Sequence, residues 1–226
     1  MSLHSLSAAI FDMDGTLVDN MLFHARAWVS MSQSLGLDVP VERFEREFAG
    51  KRNEEIFPAL LGRPVPPEEL ARLAERKESH YRELYAPHLS PLRGTRELLA
   101  RLRGAGLQLA VATAAPSANR TFVLDGLELR PHFSHVVGAE DVTRGKPAPD
   151  IFLAAARALC VEPSACVVFE DAVNGIRAAR AAGMLAVGVT TMTPAEVLLE
   201  AGAHWVIGDF TTLPVDFERR LFGGAV

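Results

Sequence analysis

An acidic pair stands where the first apolar run of the chain ends. Asp12 and Asp14 are separated by one methionine and followed by Gly15 and Thr16. Two carboxylates at the end of a buried strand repel one another and lose hydration, so the arrangement is costly unless it has a use. Ionised carboxylates can supply a nucleophile, a general acid/base and oxygen ligands for a metal. The structural alternative is a turn in which Asp-Gly provides the backbone geometry.

Other groups able to do chemistry follow later apolar runs. A hydroxyl and backbone amides come with Thr113 and Ala114, an ammonium with Lys146, and two further carboxylates with Glu170 and Asp171. Each has a structural alternative. Lys146 stands just before a predicted helix, where a solvated lysine is common although the helix start repels cations. Asp171 precedes an alanine-rich segment and would serve as a helix N-cap.

These groups are expected to meet at one edge of a sheet. If the apolar runs are parallel strands, their carboxyl ends share that edge. Four acids in one crevice, Asp12, Asp14, Glu170 and Asp171, would be strongly destabilising without a cation. Oxygen ligands of this kind favour a hard divalent ion, so the sequence predicts a Mg²⁺ site.

Strands and helices alternate along most of the chain. Short runs of small and β-branched residues are typical of strands buried on both faces of a parallel sheet. They cover Ala8–Phe11, Leu107–Ala112, Val136–Val137, Ala165–Phe169, Leu185–Val189 and, more weakly, Trp205–Ile207. Amphipathic helical stretches lie between them at Thr95–Ala105, Asp150–Cys160 and Ala172–Ala182. The alternation predicts an α/β fold with a doubly wound, mostly parallel, Rossmann-like sheet.

The segment between the first strand and this alternating region is different. It is rich in charge and strong helix formers and has no convincing strand, which favours a small helical bundle. We therefore expect an α/β core domain over residues 1–19 and 91–226 and an inserted helical cap domain over 20–90. An insert at this point is expected to act as a lid over the carboxyl ends of the strands.

Composition excludes several classes of protein. The 226 residues carry 23 Lys and Arg against 28 Asp and Glu, a formal charge of −5, which disfavours nucleic acid and anionic membranes as partners. No apolar run approaches the ~20 residues that cross a bilayer, and no secretory signal is visible. Two cysteines, Cys160 and Cys166, make no disulfide framework, so a cytoplasmic location is expected. Nothing in the sequence demands an oligomer, so a monomer or weak dimer is expected.

The ordered motifs resemble the haloacid dehalogenase superfamily, in the subgroup with a helical cap that includes β-phosphoglucomutase and small sugar phosphatases. The matching residues are Asp12-Met13-Asp14-Gly15-Thr16, Thr113, Lys146-Pro147, Glu170-Asp171 and Asn174-Gly175-Ile176. The resemblance implies that Asp12 is the nucleophile and Asp14 the general acid/base. It further implies that Thr113 and Lys146 hold the phosphoryl group. Asp12, Asp171 and the Asp14 carbonyl would bind Mg²⁺, with Glu170 in support.

Residues of the cap bear on the choice between phosphatase and mutase. His24 and Lys77 match the mutase-like pattern, although His24 could be an ordinary helix residue and Lys77 a residue of a solvated charged face. The mutases carry an arginine at the position of Asn53, whereas the arginine of this chain, Arg52, comes one residue earlier. A shift of one residue turns a helical side chain by ~100°, so the sequence does not say whether Arg52 faces the crevice.

The resemblance therefore implies Mg²⁺-dependent hydrolysis of a small phosphorylated sugar or related metabolite. Thr16 after Asp-Gly favours a phosphatase. A β-phosphoglucomutase is the close alternative. A non-catalytic domain that binds a phosphorylated metabolite is the alternative from another class, and it would be expected to have lost a motif acid.

Overall fold

All six strands that the structure describes pair in parallel. In the computed structural model, which describes residues 6–41, 43–44 and 51–222, the sheet has the order β3-β2-β1-β4-β5-β6. The strands are β1 (Ala8–Phe11), β2 (Gln108–Ala112), β3 (His135–Val137), β4 (Cys166–Glu170), β5 (Leu185–Val189) and β6 (Trp205–Ile207). The predicted α/β class and doubly wound sheet are confirmed, and the sheet is wholly parallel rather than mostly so.

The order of the strands creates a switch point beside β1. From β1 the chain runs outward through β2 and β3 on one side and through β4, β5 and β6 on the other. At such a point the connections leave toward opposite faces and open a crevice at the carboxyl ends of the central strands. The residues that follow β1, β2 and β4 all lie at this edge.

Successive side chains along the central strands point to opposite faces of the sheet, and apolar residues fill both faces. Ile10 and Val168 are fully buried in one core cluster together with Phe152 and Ile176. On the other face Phe11 stacks on Phe169, with ring centroids 4.6 Å apart. Near-continuous apolarity is what a strand buried on both sides requires.

The chain separates into two compact units, Met1–Asp19 with Ser90–Val226 and Asn20–Leu89. Within the described part of the first unit, helices lie at Thr95–Gly104, Ser117–Arg120, Asp150–Ala158, Val173–Ala181, Ala195–Glu200 and Val215–Phe222. Among the described residues of the second unit they lie at Met21–Ser34, Asn53–Leu61 and Pro67–Tyr85. The role of the helical unit as a cap stays a prediction.

An apolar cluster of its own holds the helical unit together. Trp28 and Met31 on its first helix pack with Phe57 and Leu73 from the two later helices. The rings of Trp28 and Phe57 lie 4.9 Å apart. None of the helices in the described ranges is both long and apolar enough to cross a membrane.

Candidate active site

Register brings the acids of β1 and β4 together. Phe11 pairs with Phe169, and the amide of Asp12 donates to the Phe169 carbonyl at 3.0 Å, so Asp12 lies beside Glu170 and Asp171. A carboxylate oxygen from each of these three acids lies within 4.8 Å of the other two. All three residues are buried. Two stretches more than 150 positions apart in sequence thus form one acidic cluster.

The ammonium of Lys146 enters this cluster. It donates to Asp12 Oδ1 at 2.8 Å and to Glu170 Oε2 at 2.7 Å, and only 5% of its side chain is exposed. The ammonium also lies 5.1 Å from the centre of the Phe152 ring, which belongs to the helix that follows the Lys146 loop. Lys146 is therefore not a solvated lysine at a helix start but the counter-charge of buried carboxylates.

One ammonium does not balance three buried acids. Burial and the negative charge of Glu170 raise the pKa of Asp12 to about 7, and the positive charge of Lys146 only partly offsets this rise. Burial and the charges of Glu170 and Asp12 raise the pKa of Asp171 well above its usual value. Burial alone would lower the pKa of Lys146, but Asp12 and Glu170 outweigh this and hold it above its ordinary value. The cluster is short of positive charge.

A divalent cation fits this deficit. The three clustered carboxylates of Asp12, Glu170 and Asp171 offer only oxygen donors, which Mg²⁺ prefers. The carboxylate of Asp14 does not belong to this trio, and the residue itself is half-buried. Binding of a metal through the Asp14 main-chain carbonyl stays a prediction.

Small residues allow the acids to approach the main chain. Gly15 has φ +76°, and a Cβ there would lie 2.1 Å from Asp171 Oδ2. A Cβ at Gly175 would lie 1.9 Å from the carboxyl carbon of Glu170. Thr16, which is fully buried, donates from its hydroxyl to Asp171 Oδ1 at 3.1 Å. The motifs contain these three residues, but the sequence does not predict their contacts with Asp171 and Glu170; the glycine that follows the acidic pair is the signal that could have indicated this close approach.

Thr113 lies at the same edge, directly after β2. Its amide donates to the carbonyl of Val137, and its hydroxyl accepts the amide of Ala115, both at 3.1 Å. Thr113 is buried, while Ala114 beside it is half-buried. Because β2 pairs directly with β1, Thr113 lies at the sheet edge next to Asp12, on the side away from β4.

Within the helical unit, three of the residues considered from sequence occupy one partly buried cluster. Lys77 Nζ lies 2.9 Å from His24 Nδ1 and 3.1 Å from Glu78 Oε1, and Asn53 Nδ2 donates to the same Glu78 oxygen at 3.0 Å. Lys77 is thus buried rather than part of a solvated face. Arg52 instead contacts Glu55 at the start of its helix, Nε to Oε2 being 3.7 Å. Nothing in the motifs singles out Glu78.

The family-model comparison decides the family. Residues 6–183 match the model described as "Hydrolase: haloacid dehalogenase-like hydrolase". The chain belongs to the haloacid dehalogenase-like hydrolases. The resemblance stated from the motifs is confirmed, and so is the expectation of an enzyme.

Relatives of known name include both a phosphatase and a mutase. A fructose-1-phosphate phosphatase of Escherichia coli (strain K12) is 37% identical over 180 residues, which is 80% of this chain and 94% of that protein. A β-phosphoglucomutase of Bacillus subtilis (strain 168) is 33% identical over 193 residues, covering 81% and 83%. Among solved structures, a family IA, variant 3 hydrolase of this superfamily from Entamoeba histolytica aligns with TM-score 0.85 and 27% identity, over 96% of this chain and 99% of that one.

Removing the Lys146 ammonium should destabilise the metal-free hydrolase in a pH-dependent way. We expect Lys146→Met to lower the free energy of unfolding by about 3–5 kcal/mol at pH 8, since it leaves buried carboxylates uncompensated. The folded-state pKa of Asp12 is raised to about 7 from 3.8, so its burial disfavours folding as pH rises through this window. The loss should therefore be smaller at pH 5.

Urea unfolding in EDTA at both pH values measures this difference. Lys51→Met, at an exposed lysine, serves as the matched control and should change stability by less than about 0.5 kcal/mol. Equal stability of Lys146→Met and the unaltered protein at pH 8 would mean that the ammonium does not compensate the acids.

Proposed function

We propose that this chain hydrolyses the phosphate ester of a small phosphorylated sugar or related metabolite through an aspartyl-phosphate intermediate. The observation that carries the proposal is the buried contact between Lys146 and Asp12 beside Glu170 and Asp171. A carboxylate next to a fixed ammonium and further metal-ligating oxygens can attack a phosphoryl group whose charge the same site neutralises. The name of the Escherichia coli relative supports the substrate class.

The reaction runs in two steps on residues of the core unit. In the first, an Asp12 oxygen forms a bond to phosphorus while the bond from phosphorus to the sugar oxygen breaks, and Asp14 gives that oxygen a proton. In the second, Asp14 takes a proton from water as the water attacks phosphorus, releasing inorganic phosphate and restoring the Asp12 carboxylate. Lys146 and the Thr113 hydroxyl hold the phosphoryl oxygens during both steps.

Asp12 and Asp171, with the Asp14 carbonyl and support from Glu170, would hold Mg²⁺. When bound, the ion supplies positive charge opposite the phosphoryl oxygens and favours the ionised form of Asp12. The oxygen-only donor set and the raised pKa values of Asp12 and Asp171 support this assignment. A cytoplasmic location, a monomer or weak dimer, and the absence of nucleic-acid and membrane partners stay predictions from composition.

The nucleophile is tested by removing its charge with little change in shape. We expect Asp12→Asn to lower phosphate release from p-nitrophenyl phosphate by more than about a thousandfold, because no other group replaces a lost nucleophile. Asp125→Asn, at a surface ion pair with Arg130, is the control and should keep activity. Single-turnover phosphate release by Asp12→Asn at the unaltered rate would exclude Asp12 as nucleophile.

Metal removal tests the cation. We expect EDTA to abolish turnover and Mg²⁺ to restore it, whereas Ca²⁺, which takes more ligands at longer distances, should restore little. Circular dichroism should show that the EDTA-treated protein stays folded. Full activity in EDTA would contradict a metal-assisted reaction.

A mutase remains the second candidate, because the Bacillus subtilis relative is a β-phosphoglucomutase of similar identity. We expect both fructose 1-phosphate and β-glucose 1-phosphate to yield inorganic phosphate and free sugar, since the attacking group in the second step is water. Phosphate assay and chromatography of the sugar phosphates measure the two products. Glucose 6-phosphate formed from β-glucose 1-phosphate without free phosphate would decide for the mutase.

A further inference from the structure

Buried charges in the helical unit form a chain of contacts that ends on a histidine ring. Asn53 donates to Glu78 Oε1, Lys77 donates to the same oxygen, and Lys77 Nζ lies 2.9 Å from His24 Nδ1. The side chains of Lys77 and Glu78 are only 3% and 6% exposed. These contacts lie outside the acidic cluster of the core unit, and the two-step reaction proposed above does not use them.

We propose that Glu78 and Asn53 are positioning residues which, through Lys77, fix His24 as the tautomer that carries its proton on Nε2. The inference goes beyond the proposed function, because it concerns residues of the helical unit that the two-step reaction does not use. With its proton on Nε2, the ring presents a hydrogen-bond donor at that atom, whereas the other tautomer would present an acceptor there.

The protonation of Lys77 follows from its partners. Glu78 Oε1 receives two donors, from Asn53 and from Lys77, as a carboxylate does. Rings surround the Lys77 ammonium as well, with the centres of Trp28 and Tyr81 at 4.9 Å and 5.7 Å. A carboxylate and two aromatic faces favour the charged form of the amine and oppose the effect of burial, which favours the neutral form.

The tautomer of His24 follows from the charge of Lys77. An ammonium has three donors and no acceptor, so the ring nitrogen 2.9 Å away must accept. His24 Nδ1 therefore carries no proton, and the neutral ring carries it on Nε2. An imidazolium would place two donors face to face at that distance.

Stacking fixes the plane of the ring. The rings of His24 and Tyr81 are stacked, with centroids 3.7 Å apart and planes 12° from parallel. The Tyr81 hydroxyl is itself held, at 2.6 Å from the side-chain amide of Asn20. Lys77 thus sets which nitrogen carries the proton, and Tyr81 sets the direction in which that proton points.

The experiment reads the ring nitrogens directly in the ligand-free protein. Long-range ¹H–¹⁵N correlation spectra of histidine-labelled protein distinguish the two tautomers, and loss of one signal set in His24→Gln assigns His24 among the 7 histidines. We expect unprotonated Nδ1 and protonated Nε2. A proton on Nδ1, or an even mixture of tautomers, would overturn the inference without any variant of the relay being made.

Variants then test each link. Lys77→Met keeps the length of the stem but cannot donate, so His24 should shift to a mixture of tautomers. Glu78→Gln and Asn53→Leu should move the equilibrium in the same direction by a smaller amount. Arg76→Met, the neighbouring exposed cation on the same helix, is the matched control and should give the unaltered spectrum. Unaltered tautomers in both Glu78→Gln and Asn53→Leu would remove these two residues from the relay.

Kinetics separate this inference from the proposed function. Phosphate release from p-nitrophenyl phosphate is measured on the same samples, with Arg76→Met as the control. Phosphatase activity with the wrong His24 tautomer would refute the relay alone. The expected tautomer in a protein that hydrolyses no phosphoester would refute the proposed function alone.

Discussion

The candidate site depends on one interaction, the buried contact of the Lys146 ammonium with Asp12 and Glu170. Three buried carboxylates at this sheet edge could not lie so close together without a positive charge among them. The ammonium allows the cluster to form but does not neutralise it. The remaining negative charge favours a further cation, and together with burial it raises the pKa of Asp12.

The topology of the sheet makes this contact possible. Because β1 lies between β2 and β4, the residues after its last apolar position meet groups contributed by distant parts of the chain. Gly15 and Gly175 have no side chains, so they do not collide with Asp171 and Glu170. Sheet order, the two glycines and the charge of Lys146 together determine how closely the three acids approach each other, so a change in any one of them disturbs the others.

Much of the core unit could be predicted from its pattern, and less of the helical unit. The apolar run Ala8–Phe11 has the same bounds as β1, since a buried parallel strand is a continuous apolar run that ends abruptly at charge. The proximity of the acids can also be predicted, because polar groups at the carboxyl ends of parallel strands share one edge of the sheet. The role of Thr16 as a donor to Asp171 could not be predicted, because it depends on a turn whose geometry only the three-dimensional structure gives.

The helical unit shows why a charged helix is hard to interpret. Lys77 and Glu78 stand in a run of charges, and helical periodicity tells which face is apolar but not which charges pair beneath it. Their partners, His24 and Asn53, come from separate helices. The two clusters therefore differ in kind: the core cluster holds more carboxylates than ammonium groups, which favours a further cation, whereas Lys77 and Glu78 pair one ammonium with one carboxylate among the described residues of the helical unit. An unbalanced site is suited to bind and react, and a balanced one is suited to hold a side chain in place.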